Sequence, residues 1–322
     1  MGHLLLLARG ALSVIDFRYH VVSLVAVFLA LATGIIIGGF SLRGEVADQL
    51  NGQVVSLRKD KAELQNQVNQ GNASSKKRDD GVAQLAPSLL AGKLTGRQVA
   101  IVVLPGVDDS LITKVRRTVT DSDGKVATTV TLDDKWTGSD YADSATMRDY
   151  AAKVALDPRS VKADRLGGAV LARALTRGDA GARGVLDKLA DSDATTVEPS
   201  DGPAASAIVV VWPGMVDKDG QAKRWAAVVS GLGISVDAVV GVSSGSASTN
   251  DGLSPDALMT RLRDTPDVVS VMSTVDNGSL AIGQVAVGLC LRDELAGRSG
   301  QYGMGRDASA MMPQVEPSAE AQ

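Results

Sequence analysis

Residues 21–42, VVSLVAVFLALATGIIIGGFSL, form an unbroken run without a charged side chain. At about 1.5 Å rise per residue, a helix of this length spans the roughly 30 Å hydrocarbon core of a bilayer. A transmembrane helix over residues 19–42 is therefore the first expectation. A buried core helix is the alternative within a soluble fold, though such helices seldom stay uncharged for so long. A cleaved signal peptide also fits: Arg18 supplies a positive flank, and Ala30-Leu31-Ala32 matches an A-x-A cleavage pattern. Against cleavage, Ile35-Ile36-Ile37 continue the apolar run without a polar break, as an uncleaved anchor requires. Arg9 and Arg18 precede the run against Asp16, while Arg43, Glu45 and Asp48 follow it. This weak cationic bias predicts a cytoplasmic N-terminus and a C-terminal body outside the cytoplasm.

Ala26, Ala30, Gly34 and Gly38 recur every four residues within the run. Small residues at that spacing let helix backbones approach closely in lipid, so this stripe is a candidate face for helix association. Beyond the run, Leu50, Leu57 and Leu64 lie seven apart, with Ala47, Val54, Lys61 and Val68 three before each leucine or its successor. Residues 43–70 therefore read as a coiled-coil-like stalk whose seam is Leu50, Val54, Leu57, Leu64 and Val68. A single amphipathic helix lying on its own domain would show the same pattern. Residues 71–80, GNASSKKRDD, read as a helix end and hinge, and residues 71–96 as a linker with a short helix.

Residues 97–300 alternate β-branched runs with Ala/Leu-rich segments, predicting an α/β domain with a mostly parallel sheet. AIVVLPG at 100–106 and IVVVWPG at 208–214 are each followed by a helical segment and another strand, at 127–132 and 236–241. That suggests an internal βαβ repeat. A further strand is predicted at 268–273 before a helix at 279–295, and residues 301–322 read as a flexible tail. With aromatic residues at 3% of the chain, this core must be aliphatic.

The crevice of such sheets lies at the strand C-termini, where the chain carries Asp108, Asp109, Asp133, Asp134, Asp217, Asp276 and Asn277. Carboxylates there could hold a cation or act as a base; Asp in such junctions also serves as a helix cap or turn former. No G-x-G-x-x-G or GK[ST] phosphate loop follows a strand. Both histidines, His3 and His20, precede or begin the apolar run, so the body that follows cannot perform Ser-His-Asp or zinc-histidine chemistry. His20 fits an ordinary headgroup-level side chain as well as a metal ligand. An enzyme is not predicted, and no cofactor is firmly predicted. With 33 basic and 37 acidic residues interspersed, the charge balance gives no support for nucleic-acid binding. Soft ligands for a copper ion are Cys290, Met304, Met311 and Met312; the helical setting of Cys290, between Leu289 and Leu291, favours a small buried hydrophobe over a ligand.

IDFRYHVVSLVAVFLALATGIIIGG at 15–39, the heptad segment after it, and STVDNGSLAIGQVAVGLCLRDELAGRSGQYG at 273–303 resemble the actinobacterial MctB family. The likeness covers nearly the whole chain from Val14, and it implies that residues 1–13 are a start-site extension. It further implies copper homeostasis or efflux, with copper as a transported or weakly bound species, and an envelope, even outer-membrane, location. No copper-ligand set transfers residue by residue. Two functions compete on these grounds. One is an oligomeric copper-handling envelope protein. The other is a membrane-anchored, non-enzymatic scaffold whose exported domain binds an envelope protein or glycan.

Overall fold

A computed structural model describes residues 17–142, 144–199, 201–249 and 252–315. The proposed extension at 1–13, His3, Arg9, Asp16 and the end of the tail at 316–322 lie outside the described residues, as do the side chains at 40–48. The chain divides into two compact units, Met1–Ser74 and Ser75–Gln322.

The first element, α1, is one helix from Phe17 to Leu90. Its Phe17–Gly39 stretch is long and apolar enough to cross a membrane and is 0% buried. The stalk leucines and valines are also exposed, from 42% at Val54 to 67% at Leu57, so the chain leaves their seam uncovered. The expected helix end at 71–80 does not occur. Gly, Asn and Ser each cost up to about 1 kcal/mol relative to Ala inside a helix. The docking of the next turns offsets that cost. Val82, Ala86, Leu89 and Leu90 pack with Val285 and Leu289, and Asp79 Oδ1 accepts the Ala281 amide at 2.7 Å. Residues after Leu90 form a turn in which Gly92 takes a positive φ and donates its amide to Asp123.

Strand β1 (Gln98–Val103) leads through α2 (Asp109–Asp121) to β2 (Lys125–Leu132), which pairs parallel to it. Helices α3 (Ala145–Lys153), α4 (Leu166–Thr176) and α5 (Ala180–Ala190) precede a short antiparallel edge strand, β3 (Thr195–Glu198). Strand β4 (Ala207–Trp212) then pairs parallel to β1, and α6 (Gln221–Gly233) carries the chain to β5 (Val239–Ser243), parallel to β4. A hairpin of β6 (Ala247–Thr249) and β7 (Gly252–Ser254) is followed by α7 (Ala257–Arg263) and α8 (Pro266–Val269). Strand β8 (Ser273–Val275), α9 (Ala281–Glu294) and β9 (Gln301–Tyr302) complete the described fold.

The main sheet has the order β3-β2-β1-β4-β5-β8-β9, with β3 as its antiparallel member. Its faces explain the aliphatic runs. Val99, Ile101, Val103, Val209 and Val211 pack with residues of α2 and α9, while Ala100, Val102, Ile208 and Val210 pack with residues of α4 and α6. A strand covered on both faces has no position at which a polar side chain is cheap. Helices α4 and α6 approach so closely that a Cβ on Gly168 would overlap the Val228 carbonyl, and one on Gly231 the Arg165 carbonyl.

Three local expectations are corrected. Residues 266–269 form α8 and not the start of a strand, because Pro266 at its first turn presets a helical φ; the strand begins at Ser273. The strand expected at 236–241 is shifted to Val239–Ser243. The expected tail does not begin at 301: β9 joins β8, Gly303 donates to the Ala310 carbonyl, and Ser309 to that of Gln301.

Leu280, the N-cap residue of α9, offers no side-chain cap. The Asp79 carboxylate supplies that acceptor from another helix. Asp79→Ala should therefore cost about 1 kcal/mol, and amide hydrogen exchange in the first turn of α9 should quicken in the full-length protein. Unchanged exchange at Ala281 would show that the cap contributes nothing.

Candidate functional site

The C-terminal ends of β1 and β4 are adjacent at the point where the strand order reverses, the position at which open α/β sheets bind ligands. Here that crevice is filled by the protein itself. Pro213 Cγ lies 3.6 Å from where a Gly106 Cβ would stand, and a Cβ on Gly214 would meet the Gly245 and Ser246 carbonyls at 2.6 and 2.5 Å. Beneath these loops the Asp256 carboxylate accepts Trp212 Nε1 at 2.8 Å, the Ser243 hydroxyl, and the amides of Met215, Leu258 and Met259. Burial outweighs these donors and raises the Asp256 carboxyl above the ordinary aspartate range.

The acidic residues expected at strand ends serve the backbone. Asp108 caps α2, accepting the Ser110 amide at 2.7 Å, and hydrogen bonding from Ser110 holds its carboxyl below the usual range. Asp109 lies in the first turn of that helix. Asp133 caps the short turn at Asp134–Thr137, accepting the Lys135 amide at 3.0 Å. Asp217 accepts the Ala222 amide at 3.2 Å and pairs with Arg261, whose guanidinium lowers its pKa.

Asp276 and Asn277 are different, because they organise the C-terminal segment. Asp276 accepts the amides of Met304 and Gly305 at 2.7 and 2.9 Å and pairs with Arg263 at 2.8 Å. Arg263, with a side chain only 2% exposed, also reaches Thr274, the Tyr302 carbonyl and Asp307. Asn277 Nδ2 lies 3.7 Å from the Met311 sulfur, while its buried Oδ1 has no hydrogen-bond partner among the described residues. The loop after β8 is thus bracketed by Met304 and Met311, which are 65% and 45% exposed. Met312 packs against the cores beside α9.

Cys290 stands apart from any surface site. It is fully buried in the α2/α9 core, and burial, with Glu294 and Asp293 nearby, pushes its thiol well above the ordinary value. A thiol held protonated and shielded from solvent is a poor soft-metal ligand. Among the described residues, no group of three or more His, Cys, Asp or Glu is arranged to hold a metal ion.

A cavity of about 360 Å³ lies beside the first turn of α6, lined by Trp136, Thr137, Asp164, Gly220, Lys223 and Arg224 among others. Trp136 is fixed by stacking on Tyr141 at 4.5 Å and by donating to Thr195 Oγ1 at 2.9 Å. The two cations and one carboxylate suit a polar ligand.

Sequence reasoning missed Asp256, Arg263 and Asp79. Asp256 carried a readable signal, since Asp directly before a helical segment is a cap. Arg263 carried none, because its partners Asp276, Tyr302 and Asp307 are meaningful only in the folded chain.

A family model described as "Copper transport outer membrane protein, MctB" matches residues 14–313. The chain is 29% identical to the copper transporter MctB of Mycobacterium tuberculosis (strain ATCC 25618 / H37Rv), over 92% of this chain and 98% of that protein. Against the copper transporter MctB of Mycobacterium leprae (strain TN), identity is 27% over the same shares. The match takes in the apolar span, the heptad segment and the sheet domain together, and the family it identifies is one of transporters and not of catalytic enzymes. This chain belongs to the MctB family, a group of actinobacterial membrane proteins of the cell envelope.

Proposed function

We propose that this protein acts in copper homeostasis or efflux, as an oligomer anchored by α1 with its sheet domain outside the cytoplasm. The observation that carries this reading is the near-full-length match to relatives named as copper transporters. Copper is its cargo or a weakly bound species. The exposed thioethers of Met304 and Met311 around the Asp276–Asn277 loop are the soft surface groups suited to Cu(I). Cys290 and Met312 belong to the packing in this reading. Support for an outer-membrane position comes only from the family description, and a single apolar span could line a conducting path only as part of an oligomer.

Replacing both Met304 and Met311 by leucine preserves volume and removes the sulfurs. Cu(I) affinity of the detergent-solubilised protein, measured by competition with a chromophoric chelator, should fall by at least about tenfold. Unchanged affinity would remove these thioethers from the reading. The wider proposal is tested by cellular copper: a deletion strain should accumulate it, and the restored full-length gene should reverse this.

The uncharged span and the cavity near Lys223 and Arg224 favour a second reading, a scaffold that recognises an envelope glycan or protein. Under it, deletion leaves cellular copper unchanged and Lys223→Glu abolishes partner binding. The units β1-α2-β2 and β4-α6-β5 also support reading the domain as an internal βαβ repeat.

A further inference from the structure

We propose that the stalk pairs with a second copy of this chain, parallel and in register, and that the small-residue stripe of the membrane span is turned away from that pair. The inference deepens the oligomeric part of the functional reading and rests on it.

The seam comes first. Leu50, Leu57 and Leu64 with Val54 and Val68 form a narrow exposed stripe on α1. Apart from Val55, 65% exposed beside Val54, the stripe keeps to two positions in seven, the width of a coiled-coil seam and not of a helix packed into a globular core. Valine at the first position of the heptad and leucine at the fourth favour two strands. A lipid surface is a poor occupant, because Arg58, Lys59, Asp60, Glu63 and Gln67 crowd the same turns.

Orientation follows from the anchor. Each copy enters the membrane through the same end of α1, so two stalks emerging side by side run parallel. Register follows from Lys61, which interrupts the apolar series. In an in-register parallel pair its stem lies along the seam and its ammonium reaches Asp60 of the second copy, the residue preceding it on the facing helix. A slip of one heptad would set Lys61 against Val54 or Val68 and leave that charge unmatched. A polar residue at such a position sets register at some cost in stability.

The two stripes of α1 do not share a face. With residues about 100° apart around a straight helix, the Ala26–Gly38 stripe is centred about 180° from the stalk seam. Winding the whole helix to 3.5 residues per turn still leaves them about 110° apart. One straight pair of helices cannot close both.

The test is cysteine cross-linking of the full-length protein in membranes. The sole native cysteine, Cys290, is buried, so engineered thiols report alone. Oxidation with iodine should link Leu57→Cys and Leu64→Cys into dimers, leave the outward control Lys59→Cys and the stripe variant Gly34→Cys monomeric, and give dimers joined at position 57 alone from Leu57→Cys/Gly34→Cys. Lys61→Glu should cut the Leu64→Cys dimer at least about fivefold by setting like charges together, and adding Asp60→Lys should restore it. Equal linkage of Lys59→Cys and Leu57→Cys, no rescue by the charge swap, or a position-34 disulfide closing within the position-57 dimer of the double variant would overturn the proposal. Copper accumulation in the same strains is read separately. Lost dimer with normal copper control rejects this interface alone, whereas intact dimer with no effect of deletion on copper rejects the copper reading alone.

Discussion

Arg263→Met should lower the stability of the domain by about 3–5 kcal/mol, because it leaves a largely buried carboxylate without its cation. Asp276 and Arg263 are 11% and 2% exposed at their side chains. The guanidinium makes four kinds of contact at once: Nε to Thr274 at 2.8 Å, Nη1 to Asp276 and Asp307, and Nη2 to the Tyr302 carbonyl at 2.7 Å. Lysine cannot reproduce that fork, so Arg263→Lys should recover only part of the loss. The damage should concentrate where Asp276 holds Met304 and Gly305. Denaturant unfolding of the detergent-solubilised protein measures the loss, and limited proteolysis should cut first between residues 303 and 310. A wild-type midpoint, or cleavage elsewhere, would show that the C-terminal segment is held by other means. Because Met304 sits on this loop, the same variant should also weaken any Cu(I) binding that depends on Met304 and Met311 acting together.

For Asp256→Ala the expected loss is about 3 kcal/mol, composed of a helix cap of about 1 kcal/mol and the orphaning of a buried indole donor at about 1–3 kcal/mol. Among the described residues Trp212 Nε1 donates to Asp256 alone, and Trp212 is fully buried. The pH dependence has a definite sign. Burial raises the folded carboxyl above its ordinary value, so its titration favours the fold most below that ordinary value and the benefit is lost as pH rises through the raised one. The difference between wild type and Asp256→Ala should therefore widen as pH falls from neutral into the carboxyl range. A constant difference across that range would mean that Asp256 titrates alike in the folded and unfolded chains.

Much of the architecture was legible because it is written in short-range pattern. The aliphatic runs at 100–104 and 208–212 became the central strands β1 and β4, and helical segments after each became α2 and α6. Such runs are informative because a strand buried on both faces accepts few other residues. Where local pattern failed, a distant contact had outweighed it. Residues 71–80 have the composition of a break, yet stay helical beside Asp79 bound to Ala281, 202 positions away. Residues 301–312 have the composition of a tail, yet are held by Asp276 and Arg263. The acidic residues at the strand ends were legible as residues but not as roles, since a cap and a cation ligand share the same carboxylate. Their partners decide between the two: for Asp108 the partner is a backbone amide, and for Asp217 a backbone amide and the Arg261 guanidinium.

Local chemistry thus suffices for the apolar span, the heptad spacing, the parallel α/β class and the absence of histidine from everything after residue 20, because each depends on residue type and spacing along one segment. The continuity of α1 through its glycine and serines, the closure of the strand-end crevice around Asp256, the enclosure of Cys290 and the anchoring of Met304 had to await the assembled chain. Each depends on which backbone donor, carboxylate or aliphatic surface is brought alongside from far away, and burial gives that encounter an energy larger than the local preference it overrides.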